Sequence, residues 1–233
     1  MSHASKVLLR IILERIRTKT ETEISDEQAG SRRGRGTRDQ ITNLRILMQK
    51  AREHQQPLYA CFIDFKKAFD SISHERLWIT MLEMGYPVHL VNLLAQLYIK
   101  QKAKVRVAST LSCGFRIKKG VRQGCVLSPY LFNVLAEMVM REALESYKGG
   151  IQLGGRRLTN LRYADDIVLL ACSEMELQEL VNRIDNVSRK YSLMINVDKT
   201  KVMATNGITC SININGEDVE QVSMSWLTHH RRQ

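Results

Sequence analysis

Apolar residues recur along this chain with two periods, and each switch between periods marks an element. From Ser5 to Arg17, Val7, Leu8, Ile11, Ile12 and Ile16 return at helical spacing with Lys and Arg opposite, which predicts a helix with that apolar face. Ile41 to Glu53 predicts a second helix, with Ile41, Leu44, Leu47 and Met48 inward, and Pro57 ends the segment. Leu58–Ile63 is a short, nearly unbroken apolar run, as expected of a strand buried on both faces. Ser73 is placed to cap a helix that runs to Met84 and stops at Gly85. Pro87 opens another, with Val88, Val91, Leu94 and Leu97 on one side. Lys102–Ser109 alternates like a strand, turns at Leu111–Gly114 and returns as Phe115–Lys118. Tyr130 to Tyr147 reads as a helix with Leu131, Val134, Leu135, Met138 and Val139 inward. Ile151–Leu153 and Arg157–Tyr163 flank Gly154-Gly155 as a hairpin, and Tyr163 and Ile167 bound a second hairpin. Ser173–Glu176 has the form of a capping box before Leu177, Leu180, Val181, Ile184 and Val187. Ile208–Ile214 alternates like a strand and turns at Asn215-Gly216. Strands interleaved with helices indicate an α+β fold, an antiparallel sheet covered by helices.

Charge changes the picture. The 233 residues carry 35 Lys and Arg against 24 Asp and Glu, a net charge of +11. That excess points to a polyanionic partner, with nucleic acid the commonest. The basic residues come in bursts along the whole chain, which suits a lined groove better than a sticky tail. The five cysteines are odd in number and not spaced as zinc pairs, so they read as core residues in a reducing compartment. No apolar run approaches a membrane span and the start lacks a signal-peptide layout, so the expectation is an intracellular protein, nuclear or cytoplasmic.

The candidate chemistry centres on Leu161–Ala171, where Asp165 and Asp166 sit side by side between two apolar runs. Adjacent carboxylates repel, and a divalent cation is the natural relief. Asp64 follows the Leu58–Ile63 run, where it could join them or simply cap the next turn. Carboxylates from adjacent strands would hold two Mg²⁺ ions roughly 3.5–4 Å apart, with Mn²⁺ as a substitute. Between Ser25 and Gln40 lie Gly30, Gly34 and Gly36 with Arg32, Arg33, Arg35 and Arg38. This is either a phosphate-chelating loop or a solvated basic one. Lys199 could give a proton to a leaving group. The set describes nucleotidyl transfer.

Several stretches in order carry a resemblance. Glu27-Gln28-Ala29-Gly30 through Arg35-Gly36-Thr37-Arg38-Asp39-Gln40-Ile41, Phe62–Asp70, Gly120–Asn133, Tyr163-Ala164-Asp165-Asp166 and Ile195–Lys201 together resemble the reverse transcriptases of non-LTR (LINE-type) retrotransposons. The resemblance covers about Met1 to Val222. It implies a right-hand polymerase fold: fingers in 1–57, a ferredoxin-like palm in 58–205, and a degenerate hairpin and tail in 206–233, with 24–205 as one reverse transcriptase domain. It also implies a chain truncated at both ends and lacking the thumb. Asp64, Asp165 and Asp166 match the metal-binding catalytic triad, Asp165 being the more direct ligand of the pair. Phe69 matches the residue that excludes a 2′-OH, and Phe65 lies in the same nucleotide-binding motif. Gln123 and Gly124 match the loop beside the templating pair. Arg35 is the first choice for a triphosphate contact and Arg32 the second. Asp70 reads as structural. The implied partners are an RNA template, a DNA primer and dNTPs. The implied activity is RNA-directed DNA polymerisation, with a non-catalytic nucleic-acid-binding remnant as the alternative. The family usually has an aromatic where Ser31 stands.

Overall fold

The computed structural model describes residues 3–223 and Trp226. The chain forms two compact units that interleave in sequence. One takes Met1–Ile24 and Lys67–Leu135; the other takes Ser25–Lys66 and Ala136–Gln233. This division by contacts cuts the chain differently from the motif-based fingers and palm.

The second unit is built on a five-stranded sheet. Its helix α2 (Thr37–Glu53) precedes β1 (Tyr59–Ile63). β1 is central and pairs antiparallel with two neighbours, β9 (Asp166–Ala171) and β10 (Lys201–Ala204). β8 (Asn160–Tyr163) flanks β9, and the short β13 (Glu220–Gln221) lies parallel to β10 at the other edge. The continuous apolar run of β1 is explained by burial on both faces. Ala60, with its partners Leu170 and Met203, joins Leu44, Leu47 and Met48 of α2 in one cluster. Cys61, with its partners Leu169 and Val202, points the other way and is fully buried too. Helix α7 (Glu174–Lys190) packs on β1 and β9, and buries the expected Leu177, Leu180, Val181, Ile184 and Val187. Ser173 caps it by accepting from the Glu176 N–H at 3.2 Å, while the Glu176 carboxylate reaches the Cys172 N–H rather than that of Ser173. The hairpin β6 (Ile151–Leu153) and β7 (Arg156–Leu158) turns at Gly154-Gly155 as expected. Of the expected strand 208–214 only β11 (Asn213–Ile214) forms; it pairs with β12 (Glu217–Asp218) across Asn215-Gly216. Of the irregular tail expected after Val222, only Ser223 and Trp226 are among the described residues, and the Trp226 ring packs 5.3 Å from that of Phe62.

In the first unit, α1 spans His3–Glu23, longer than its apolar pattern suggested. Its inward line is Ile12, Ile16 and Thr20, one residue per turn, whereas Val7 and Ile11 are 58% and 50% exposed. The apolar arc was wider than the surface available to cover it. Thr20 can be buried because its hydroxyl meets the Ile16 carbonyl and the Tyr86 hydroxyl, each at 2.8 Å. A short helix α3 (Ala68–Ser71), invisible to periodicity, precedes α4 (His74–Glu83), which Ser73 caps by accepting from the Arg76 N–H. Pro87 sits at the N-cap of α5 (Val88–Ile99), which buries Leu90, Val91, Leu94 and Tyr98 and leaves Val88 exposed. The basic hairpin turns at Ala108-Ser109 and not at Leu111–Gly114. β2 (Lys102–Ala103) pairs with β5 (Phe115–Arg116), and β3 (Arg106–Val107) with β4 (Thr110–Leu111). Helix α6 runs Ser128–Leu144, and the boundary between the units falls within it. Cys61, Cys125 and Cys210 are buried thiols, while Cys113 and Cys172 are exposed.

Candidate active site

Register places the acids. Ile63 is paired with Ile167, so Asp64, one step past Ile63, and Asp166, one step before Ile167, leave the sheet at the same end. Tyr163 pairs with Asp166, which makes Ala164-Asp165 a two-residue hairpin tip. Ala164 holds φ at +55, a left-handed conformation uncommon for a side-chain-bearing residue. Asp64 and Asp165 are half-buried and Asp166 is exposed.

The carboxylates sense one another. The Asp165 carboxyl is pushed up from its ordinary range, first by burial and then by the negative charge of Asp64, against a backbone hydrogen bond that pulls it down. Asp166 is raised as well, first by loss of solvent and then by the charges of Asp165 and Asp64. Among the described residues, no three or more His, Cys, Asp and Glu side chains are grouped as a metal cage. An all-carboxylate set under mutual repulsion still suits a hard dication. Mg²⁺ is commonly held by one or two carboxylates, with water and substrate phosphate completing its shell.

The Asp64 backbone is tied to the turn that carries Lys199. The Asn196 N–H donates to the Asp64 carbonyl at 2.8 Å, and the Asp64 N–H donates to the Thr200 hydroxyl at 3.3 Å. Lys199, adjacent to that Thr200, is exposed. Phe65 bridges Ile195 and is 6% exposed, so its ring offers little surface to a nucleotide. Arg35 donates to both the carbonyl and the carboxylate of Asp26, which holds the Asp26 carboxyl below its usual range. Arg32 donates to the Ser25 carbonyl at 2.8 Å. Both candidate triphosphate ligands are therefore engaged within their own loop.

Phe69, Gln123 and Gly124 belong to the first unit. The Phe69 ring stacks on Phe132, centroids 5.1 Å apart and planes 24° apart. The loop with Gln123 is pinned to the segment holding Phe69, because the Val121 N–H donates to the Phe69 carbonyl and the Gly120 N–H to the Ile72 carbonyl, each at 2.8 Å. Gly124 has φ +75.

Sequence reasoning assigned no role to the layer behind the hairpin. Arg162 of β8, 2% exposed, forms an ion pair with the equally buried Glu137 at 3.0 Å. Its backbone accepts from the Ala29 N–H and donates to the Glu27 carbonyl, both at 2.9 Å. The Gln40 side chain donates to the carbonyls of Glu27 and Arg162, at 2.7 and 3.1 Å. The available signal was a lone Arg inside an apolar strand run.

Comparison with known proteins decides the family. The chain matches the family described as reverse transcriptase (RNA-dependent DNA polymerase) over residues 1–230. It belongs to that family. Among relatives of this reverse transcriptase chain is the Pol polyprotein of the type-1 retrotransposable element R2 from Nasonia vitripennis. The two are 33% identical over 150 residues, which is 64% of this chain and 14% of that protein. The RNA-directed DNA polymerase from the mobile element jockey of Drosophila funebris is 30% identical, over 91% of this chain and 24% of its own length. The probable RNA-directed DNA polymerase from transposon BS of Drosophila melanogaster is 28% identical, over 97% and 26%. The chain is thus a reverse transcriptase domain of the non-LTR retrotransposon type, and it spans about a quarter or less of these relatives. A solved Candida tropicalis telomerase, in complex with a fragment of telomeric RNA, shares the fold. Its TM-score is 0.63 at 14% identity, covering 91% of this chain and 35% of that one. No helix among the described residues is long and apolar enough to cross a membrane.

Proposed function

We propose that this domain extends a DNA primer on an RNA template, transferring dNMP from dNTP to the primer 3′-OH. The observation that carries the reading is the meeting of Asp64 with the Asp165-Asp166 tip at one end of the β1–β9 pair. Asp64, Asp165 and Asp166 would hold two Mg²⁺ ions, with Mn²⁺ as substitute, and those ions would supply activation of the primer hydroxyl and neutralisation of the departing pyrophosphate. The carboxylates keep this end of the sheet negative. Lys199, on the turn bound to the Asp64 backbone, holds a proton for the leaving group. Phe69, fixed by its stack on Phe132, is the steric barrier to a 2′-OH, and Gln123-Gly124 flanks the templating pair. The exposed Arg33 and Arg38 and the net charge of +11 favour a phosphate backbone as partner.

Primer extension on poly(rA)/oligo(dT) with Mg²⁺ tests the proposal. Extension by the wild-type chain and its loss in Asp165→Ala are expected. RNA binding without extension would replace the proposal with the non-catalytic reading. Equal use of a DNA template would remove the RNA-directed part.

A further inference from the structure

The hairpin tip carries a conflict. Ala164 is held in a left-handed conformation without being glycine, and the two residues after it are acids whose carboxyls are raised first by loss of solvent and then by neighbouring negative charge, that of Asp64 on both and that of Asp165 on Asp166. Such a conformation persists where the surroundings over-determine it. Turn chemistry alone does not supply that. The Ala164 peptide sets the direction in which Asp165 leaves the backbone, so whatever fixes Ala164 also aims the carboxylate.

One side chain meets both polar groups of Ala164. Gln28, 1% exposed, accepts from the Ala164 N–H through Oε1 at 2.8 Å and donates from Nε2 to the Ala164 carbonyl at 3.1 Å. The same Oε1 accepts from the Gly30 N–H at 2.8 Å. Gln28 is held in turn by the backbone bonds that Glu27 and Ala29 make with Arg162. Gly30 lies so close that an added Cβ would fall 2.2 Å from the Ala164 nitrogen, so no larger residue fits between loop and tip. The choice of a carboxamide is chemically specific. Only a group with a donor and an acceptor side by side can satisfy both the N–H and the C=O of one residue. Glutamate could accept but not donate, and would add a negative charge beside the acids. A cationic residue would cancel the field that draws a dication. A neutral amide fixes the tip and leaves that field intact.

We propose that Gln28 is a positioning residue of the catalytic site: its carboxamide clamps Ala164 and thereby aims Asp165 and Asp166 for cation binding. The clamp rests on the polymerase reading for its purpose, but its geometry can be tested apart from activity. In the full chain, amide exchange measured by NMR reports the clamp, free Mn²⁺ followed by electron paramagnetic resonance reports cation affinity, and primer extension reports turnover. Gln28→Met, of similar length but without the amide, should speed exchange of the Ala164 amide at least tenfold while amides of Cys61 and Val202 keep their protection. It should weaken Mn²⁺ binding severalfold and lower kcat about tenfold, with KM for dNTP changed less than twofold. Gln28→Glu, which retains an acceptor for the Ala164 N–H, should keep that amide slow. Should Gln28→Met not fold, Gln28→Asn, one methylene too short to reach, carries the same comparison. A folded variant with wild-type exchange at Ala164 overturns the proposal. So does faster exchange with unchanged Mn²⁺ affinity, which would reduce Gln28 to a packing role. Failure of the polymerase reading looks different: Asp165→Ala would then bind Mn²⁺ as the wild type does, and the wild type would not extend a primer.

Discussion

At the scale of single residues, Asp165 is costly to the fold. Its carboxyl is raised by burial and by Asp64, so the folded chain holds that proton more tightly than the unfolded chain does. A group of this kind favours folding fully below its unfolded pKa, and the benefit disappears as pH rises through the higher folded value. At neutral pH the ionised acid therefore opposes folding. Asp165→Asn is expected to raise Tm at pH 7, with the gain fading as pH falls through the carboxylate range, while primer extension is lost. Thermal melts from pH 3 to 8 would show this. A Tm gain that grows toward low pH would contradict the assignment. Phe69 makes the opposite case, a well-packed ring whose removal should alter selection. Phe69→Ala is expected to raise incorporation of rNTP relative to dNTP by tenfold or more in competition assays, an effect of about 1.4 kcal/mol. An unchanged ratio would remove its role as a barrier.

At the scale of elements, legibility followed how far each pattern depended on local chemistry. β1, the Ser73 cap, the inward face of α7 and the Asp165 hairpin were all readable, because burial on two faces, caps and period-two pairing leave local signatures. The face of α1 was misread since Val7 and Ile11 are as apolar as Ile12 and Ile16, and only tertiary contact distinguishes them. Helix α3 has four residues, too few for any period. The turn at Ala108-Ser109 lacks the glycine that Gly114 offered as a decoy. For the candidate site, Asp64, Asp165 and Asp166 stood out in the sequence, but the contacts of Gln28 with Ala164 and of Gln40 with Arg162 join residues more than a hundred positions apart, where spacing carries no information. The loop carrying Gln123 makes a test at this scale. Gly120 has φ +89, and a Cβ there would fall 2.9 Å from the Asp70 carbonyl oxygen. Gly120→Ala should cost about 1–3 kcal/mol in urea unfolding and should impair extension by moving the loop from its anchor on Phe69 and Ile72.

At the scale of the whole molecule, the charge excess should govern affinity for nucleic acid. Between Lys100 and Lys119 there are seven basic residues and no acid, most of them on the β2–β5 hairpin. If Lys102, Lys104 and Arg106 each meet one phosphate, replacing all three with Gln should lower the slope of log affinity against log salt by about 2 on single-stranded RNA. Filter binding across a salt series would measure it, and an unchanged slope would place the phosphate contacts elsewhere.

The placement of the thiols has a practical consequence. Cys61, Cys125 and Cys210 are inside, and although Cys172 is exposed, partial loss of solvent and then the nearby Glu176 carboxylate raise its thiol above the usual range. A maleimide dye should therefore choose Cys113, exposed between β4 and β5 of the basic hairpin. The sequence thus already holds a fluorescent reporter position within an acid-free run of basic residues, and labelling it needs no engineered cysteine.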